Sequence, residues 1–143
     1  MKRVYATIQI AAAPMDVWAV LTDLSRYRKW HPLFPQASGE IAVGNRITLH
    51  SMDPNGRVRT VRPKILVVEP GVELTWKATI LGLMGGIHRY ELSPADDGTR
   101  LVQSETFAGL LVPVSGQIIA RAEAGYHAVN KALKKRVESR RSR

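Results

Sequence analysis

The sequence predicts an α+β fold in which a curved antiparallel sheet of about seven strands wraps round a long C-terminal helix. Alternating apolar and polar residues recur between positions 46 and 109, as expected for antiparallel strands with one buried face. A helical apolar spacing follows Pro14, and a longer one runs from Ile118 to Val137. The last helix is expected to cover the apolar face of the sheet. Ligand pockets often form in such concave mouths.

The N-terminal region is predicted to contain one strand followed by two short helices. Residues 3–10 alternate as a strand, and Pro14 suits the first turn of the helix that follows. Tyr27 and Trp30 extend the apolar side of that helix into a second short helix or turn. The prolines of HPLFP, residues 31–35, cannot lie inside a helix.

Turn signals divide the middle of the chain into strands. The sequence DPNG at 53–56 predicts a hairpin between strands near 46–52 and 57–69. After a turn at EPG, the apolar side of the next predicted strand consists of Leu74, Trp76, Ala78 and Ile80. Two apolar connections, LGLMGG at 81–86 and GLLVP at 109–113, are predicted to form mobile lips over a cavity.

A hairpin turned by ADDG has polar residues on its inner face. Alternation places His88 and Tyr90 on one side of its first strand, and Gln103 and Glu105 on the same side of its second. This side also holds Leu92, Leu101 and Phe107, which face a core. Pairing around Gly98 predicts that His88 and Glu105 are diagonal neighbours.

Three roles fit these polar residues, and the sequence leaves all three open. His88 and Glu105 can pair structurally, because a buried charge needs a partner. They can instead orient one polar group of a ligand in an apolar cavity. They are also the candidate catalytic residues, because histidine and partly buried glutamate are suited to general acid–base chemistry.

The last element is predicted to be a long helix that begins around Ser115, a residue type that caps helix N-termini. Its expected inward stripe consists of Ile118, Ala122, Tyr126, Val129, Leu133 and Val137. Gly125 weakens a helix by about 1 kcal/mol relative to Ala, so it either permits close approach to the sheet or is tolerated. The Tyr126 hydroxyl needs a partner when buried, and His127 is expected to face outward.

The predicted pocket combines an apolar wall with the polar set of the hairpin. Trp30 and Trp76 are either core residues or line the mouth of the cavity. The full predicted ligand-binding set is Trp30, Val61, Ile65, Leu74, Trp76, Ala78, His88, Tyr90, Leu92, Gln103, Glu105, Phe107, Ile118 and Tyr126.

Length and composition narrow the possible functions. The 143 residues fit one domain, and the lack of cysteine excludes disulfides, thiolate metal sites and a cysteine nucleophile. The four histidines show no metal-binding spacing, and neither a phosphate-binding loop nor a nucleophile elbow is present. We therefore expect no metal and no cofactor. No apolar run is long enough for a membrane span, and a cytoplasmic location is expected.

The net charge of +9 is concentrated at the C-terminus. Seven basic residues and one acidic residue lie between Lys131 and Arg143. The basic tail, about 134–143, is either a solvated helix end or a weak contact with an anionic membrane. Specific nucleic-acid binding is not expected, because aromatic residues are not interleaved with the basic ones.

Three stretches resemble one protein family across nearly the whole chain. They are PMDVWAVLTDLSRYRKWHP near the start, VVEPGVELTW at 67–76 and GTRLVQSETFAGLL before the last helix. They resemble the START-like superfamily, and within it the bacterial polyketide cyclase/dehydrase-type (SRPBCC) proteins. The resemblance implies the helix-grip fold, which the birch pollen allergen shares.

The resemblance also implies a function, but not a single one. The first expectation is the binding of an apolar or aromatic small molecule, such as a lipid or a polyketide-like compound, in an internal cavity. The alternative is a polyketide cyclase or aromatase that uses His88 and Glu105. A weaker alternative is a lipid carrier at the membrane surface. The protein is expected to be a monomer or a homodimer.

Overall fold

The computed structural model describes residues 1–52, 56–80 and 84–141, and it confirms the predicted α+β fold. The described residues form eight strands, where about seven were predicted. Two α-helices and two short 3₁₀ helices, Leu24–Lys29 and Val112–Val114, complete the described elements. The strands are β1 (Lys2–Ile10), β2 (Gln36–Ser38), β3 (Thr48–Met52), β4 (Val58–Val61), β5 (Lys64–Glu69), β6 (Glu73–Ile80), β7 (Met84–Ala95) and β8 (Gly98–Gly109), and the helices are α1 (Pro14–Leu21) and α2 (Gly116–Arg141).

The main sheet is antiparallel and has the strand order β1-β8-β7-β6-β5. Its central hairpin pairs Ala95 with Gly98 across a two-residue turn. In this turn Asp96 has a φ of 51°, a left-handed conformation that aspartate tolerates better than most residues. The turn fixes the register of both long strands, so His88 lies directly opposite Glu105.

The single strand predicted near 57–69 is in fact two strands in different sheets. It is interrupted at Arg62 and Pro63, between β4 and β5. Proline lacks a backbone N–H for the strand ladder, which favours a break there. Strand β4 joins β3 and β2 in a separate three-stranded sheet, and β2 itself was not predicted.

The predicted loop at 81–86 is partly strand. Met84, Gly85 and Gly86 begin β7 and pair with β6 and β8, so they are not a flexible connection. Residues 81–83 of that stretch, and residues 53–55 of the predicted DPNG turn, lie outside the described part of the chain. The other predicted lip, 109–113, contains the end of β8, a turn and the start of the second 3₁₀ helix.

The inward face of α2 differs from the prediction at its N-terminal end. Ile118 is 56% exposed, whereas its neighbour Ile119 is 4% exposed. The buried stripe then continues through Val129, Leu133 and Val137 as predicted. Ile118 therefore does not belong to the buried stripe of α2, contrary to the prediction.

Helix α2 begins close to the predicted residue, but Ser115 does not cap it through its side chain. The Ser115 hydroxyl donates to the Leu111 carbonyl at 2.6 Å. The Ser115 carbonyl accepts the Ile119 N–H at 3.0 Å, which closes the first helical turn. His127 is exposed, as predicted.

Gly125 allows a close approach, but to a loop and not to the sheet. A Cβ atom at position 125 would lie 3.0 Å from the Leu33 Cδ1 atom. Leu33 belongs to the proline-containing segment after the first 3₁₀ helix. This segment therefore packs directly on the helix backbone.

The basic C-terminal segment is part of the folded helix as far as Arg141. Val137 is 3% exposed and belongs to the main core. Lys134 donates to the Gln9 carbonyl at 2.8 Å, and the Glu138 carboxylate accepts the Ala11 N–H at 2.8 Å. Deleting this segment would therefore remove core and strand contacts as well as charge. In the described part of the chain, no helix is both long and apolar enough to cross a membrane.

Candidate ligand-binding site

The polar residues of the central hairpin meet on the inner face of the sheet. His88 and Glu105 are directly opposite each other, closer than the diagonal placement that was predicted. The His88 Nδ1 atom hydrogen-bonds the Glu105 carboxylate. The His88 Nε2 atom lies 2.8 Å from the Gln103 side-chain oxygen, and Gln103 is the diagonal neighbour. Both ring nitrogens of His88 are therefore engaged.

Both ring nitrogens of His88 face side-chain oxygen atoms across the hairpin. Each ring nitrogen faces an oxygen acceptor, one from a carboxylate and one from an amide. His88 and Glu105 thus form a buried hydrogen-bonded pair, with side-chain exposures of 7% and 12%. Such a pair is stable only when its hydrogen bonds are complete.

Helix α2 completes this network from the other side. The Tyr126 hydroxyl donates to the Glu105 carboxylate at 3.0 Å. The Gln103 amide nitrogen donates to the Asn130 side-chain oxygen at 2.8 Å and to the Tyr126 carbonyl at 3.3 Å. Burial, and next the negative charge of Glu105, raise the pKa of Tyr126 far above its usual range. Tyr126 therefore remains a hydrogen-bond donor at every physiological pH.

Asn130 was missed by the sequence analysis and has an unsatisfied donor. It is 1% exposed, and its side-chain nitrogen has no hydrogen-bond partner among the described residues. A buried amide without an acceptor costs free energy, so native structures usually supply one from protein, water or ligand. Its position, one helical turn after Tyr126 on the same face, was the available sequence signal.

Aromatic rings surround His88. Its ring stacks on Trp76 with a centroid distance of 5.5 Å, and Tyr90 and Tyr126 each approach to 4.7 Å. Trp76 is 6% exposed and Tyr90 is 3% exposed. Burial is the main cause that raises the pKa of Tyr90 well above its usual range. The His88–Glu105 pair is thus enclosed by aromatic rings.

Gly86 makes room for the Glu105 carboxylate, and the sequence analysis missed it as well. A Cβ atom at position 86 would lie only 2.3 Å from the Glu105 Oε1 atom. The same test at Gly85 finds only ordinary contacts, with the Ala78 carbonyl oxygen at 3.8 Å as the nearest. In the sequence, the paired glycines are typical of a loop. Gly86 instead belongs to the walls of the site.

The remaining predicted residues fall into three groups. Ile65, Leu74 and Leu92 are buried in the main core together with Trp76 and Tyr90. Phe107 belongs to a second cluster with Val4 and Ile119, against which Tyr126 also packs. The third group is only half-buried. It consists of Trp30 after the first 3₁₀ helix, Val61 on the smaller sheet and Ala78 on β6.

A groove of about 370 Å³ lies beside the second cluster, between the start of β1 and the start of α2. Val4, Val112 and Ile119 form its apolar lining. Charged residues at its rim are Lys2, Arg3 and Glu123. Since Val4 and Ile119 belong to both features, the groove adjoins the cluster that Tyr126 contacts.

A second buried histidine, His31, shapes the proline-containing segment. Its Nδ1 atom accepts the backbone N–H groups of Leu33 and Phe34 at 3.2 and 3.0 Å. Burial, and next repulsion from the positive charge of His88, lower the pKa of His31 to about 3. His31 is therefore neutral at neutral pH. Among the described residues, no group of three or more His, Cys, Asp or Glu side chains is placed to hold a metal ion.

Comparison with known proteins identifies the family. The model of the family described as "Polyketide cyclase / dehydrase and lipid transport" matches residues 1–138. The chain belongs to this family. No curated protein matches the chain in sequence.

Solved structures share the fold at low sequence identity. Protein MLL2253 from Mesorhizobium loti is 21% identical with a TM-score of 0.78, and the match covers 97% of this chain and 98% of that one. Protein CV1439 from Chromobacterium violaceum is 19% identical with a TM-score of 0.76, over 95% and 96% of the two chains. The di-domain ARO/CYC StfQ from the steffimycin biosynthetic pathway is 18% identical with a TM-score of 0.80; the match covers 99% of this chain and 52% of StfQ. At these identities the likeness concerns the fold.

Proposed function

We propose that this protein binds an apolar or aromatic small molecule between the main sheet and helix α2. The observation that supports this most directly is the buried polar network of His88, Gln103, Glu105, Tyr126 and Asn130, set among aromatic rings. An apolar site with a few convergent polar groups is typical of small-molecule binding. The family description, which includes lipid transport, agrees with this class of ligand.

The polar network would orient one end of the ligand. The unpartnered Asn130 amide nitrogen is available to a ligand hydroxyl or carbonyl oxygen. Such a bond would satisfy a buried donor that is otherwise left without an acceptor. The Tyr126 hydroxyl, which donates to Glu105, has an oxygen that can also accept from a ligand group, and the Glu105 carboxylate can accept as well.

The apolar body of the ligand would extend towards the second cluster. Phe107, Val4 and Ile119 supply apolar surface there, and Tyr126 joins this cluster to the polar network. The adjoining groove between β1 and α2 gives the path from solvent. In this proposal the ligand separates Tyr126 from part of that cluster as it binds.

A second candidate function is catalysis of the polyketide cyclase or aromatase kind. The His88–Glu105–Tyr126 hydrogen bonds favour it, because a buried acid and base in contact can move a proton between ligand atoms. One structural neighbour, StfQ, is itself described as an ARO/CYC protein. A cavity that holds a reactive chain in one folded shape would supply the remaining rate enhancement.

Native mass spectrometry of the freshly purified protein tests the binding proposal. The expected result is a bound small molecule at one copy per site, which is then extracted and identified. The His88→Leu/Glu105→Leu variant should fold but lose or change that molecule. The control is Arg89→Leu/Glu91→Leu, which also replaces one basic and one acidic side chain by leucine, at the alternate positions of β7. Equal ligand occupancy in both variants would refute the orienting role.

The extracted molecule or its precursor then separates binding from catalysis. Turnover that is lost in the His88→Leu/Glu105→Leu variant and retained in the control would favour the enzyme. Binding without chemical change would favour a carrier. A homodimeric or monomeric state, a cytoplasmic location and contact of the basic tail with membranes stay predictions.

A further inference from the structure

A second groove of about 370 Å³ lies on the opposite flank of α2 from strand β1, away from the His88 network. The end of the first 3₁₀ helix forms one wall with Lys29 and Trp30. One face of α2 forms the other wall with Ala132, Lys135, Arg136 and Ser139. Ala132 has the smallest side chain in this wall, so it leaves space between the basic residues of the two walls.

The charges in this groove have one sign. Three of its six lining residues, Lys29, Lys135 and Arg136, are cationic, and none of the six is acidic. The nearby Glu138 carboxylate is directed to the β1 side of the helix, where it accepts from Lys134 at 2.6 Å and from the Ala11 N–H. It does not line the groove. Like charges held this close repel one another, and a bound anion relieves that repulsion.

Two buried N–H donors without acceptors belong to the same groove. The Trp30 Nε1 atom and the Arg136 Nε atom are inaccessible to solvent and have no hydrogen-bond partner among the described residues. Buried donors normally have a partner, and an unpaired one indicates a missing acceptor such as water, an ion or a ligand. Both residues line this groove, so a small rotation of either side chain would expose its donor to an oxygen-rich anion bound there.

We propose that this groove binds the phosphate group of a phosphorylated small molecule or lipid. A phosphate group offers three terminal oxygens and about two negative charges, which match one guanidinium, two ammonium groups and an indole N–H. The Arg136 guanidinium would hold two of the oxygens, and the Trp30 indole would donate to the third. The proposal is independent of the proposed function, because none of its residues takes part in the His88 network.

Nuclear magnetic resonance of the three tryptophan indole N–H groups tests the proposal in solution. The Trp30 signal is identified by its absence in the Trp30→Phe variant. Titration with glycerol phosphate should shift this signal saturably and leave those of Trp18 and Trp76 in place. Arg136→Gln should weaken binding by roughly tenfold, as expected for the loss of a charge-assisted contact. Its control is Arg140→Gln, the same substitution one turn later at a residue outside this groove.

A second pair of variants keeps the proposal testable if Arg136→Gln does not fold. Lys135→Ala removes an exposed side chain that lines the groove, and Lys131→Ala removes an exposed lysine of the same helix that does not. Only the first should weaken glycerol phosphate binding. A parallel arm measures sedimentation with phosphatidic acid vesicles and with phosphatidylcholine vesicles at the same ionic strength.

The outcomes distinguish the two sources of phosphate. A saturable Trp30 shift with glycerol phosphate indicates a soluble ligand. Sedimentation with phosphatidic acid vesicles that Arg136→Gln and Lys135→Ala reduce, but their controls do not, indicates a lipid headgroup. The proposal is overturned if neither probe binds, or if each groove variant behaves like its matched control.

Discussion

His31 should make the stability of this protein depend on pH, and the size of the effect follows from its burial. Its Nδ1 atom accepts two backbone N–H groups, and its ring stacks on Tyr27 at 4.7 Å. Replacement by asparagine keeps an acceptor oxygen near the same N–H groups and removes the titrating ring. His31→Asn therefore tests protonation separately from the hydrogen bonds to Leu33 and Phe34.

The sign of the effect comes from proton uptake on unfolding. The pKa of His31 is lowered from 6.5 to about 3 in the folded protein. Between these values the unfolded chain binds a proton that the folded chain does not. The free energy of unfolding therefore falls as the pH falls through 6.5 and continues to fall until about pH 3. At pH 5 the loss from this residue is about 2 kcal/mol relative to pH 7.

Urea denaturation of the parent protein and of His31→Asn, each at pH 7 and pH 5, measures this contribution. The variant will be less stable at pH 7, because it loses ring contacts with Tyr27 and Phe34. Its further loss at pH 5 should be smaller than the parent's by about 2 kcal/mol. His127→Asn, at an exposed histidine, should lose as much as the parent. An equal pH-dependent loss in the parent and His31→Asn would refute the reasoning.

Two glycines give further predictions, each measured as a change in the free energy of unfolding by urea denaturation. Gly86→Ala should destabilise by about 2–3 kcal/mol, because its Cβ atom displaces Glu105 from its buried hydrogen bond with His88, whereas Gly85→Ala should change stability by less than about 1 kcal/mol. A similar cost for both would contradict the role given to Gly86. In a Leu33→Ala background, Gly125→Ala should raise the free energy of unfolding by about 1 kcal/mol. With Leu33 present, the gain should be smaller. The same gain in both backgrounds would show that Leu33 does not limit the space at position 125.

The pairing of the central hairpin was predictable because it depends on local chemistry. A two-residue turn with Gly98 after it sets the register, and a period of two then places His88, Gln103 and Glu105 on one face. The sequence could also indicate that these residues are polar in an apolar setting. It could not decide between a structural pair and a ligand site, since that depends on which side chains of α2 pack against these residues.

The failures arose where packing over long distances decides the outcome. Ile118 and Ile119 are adjacent and chemically identical, so the sequence could not decide which of the two faces the core at that end of the helix. The sequence around Gly86 is typical of a loop. The actual role of Gly86, which is to leave space for Glu105, could not be predicted because Glu105 is distant in sequence. The division of 57–69 between two sheets likewise depends on which partner strands lie nearby.

The contact between the first strand and the last helix has a consequence for how the protein forms in the cell. Lys134 and Gln9 are 125 residues apart, and Glu138 and Ala11 are 127 apart. The outer edge of strand β1 is therefore covered only after Lys134 and Glu138 have left the ribosome. Such distant contacts slow folding. Until then, that edge can pair with other nascent chains. Protection of the growing chain by chaperones should matter more for this protein than for one of equal length built from local contacts.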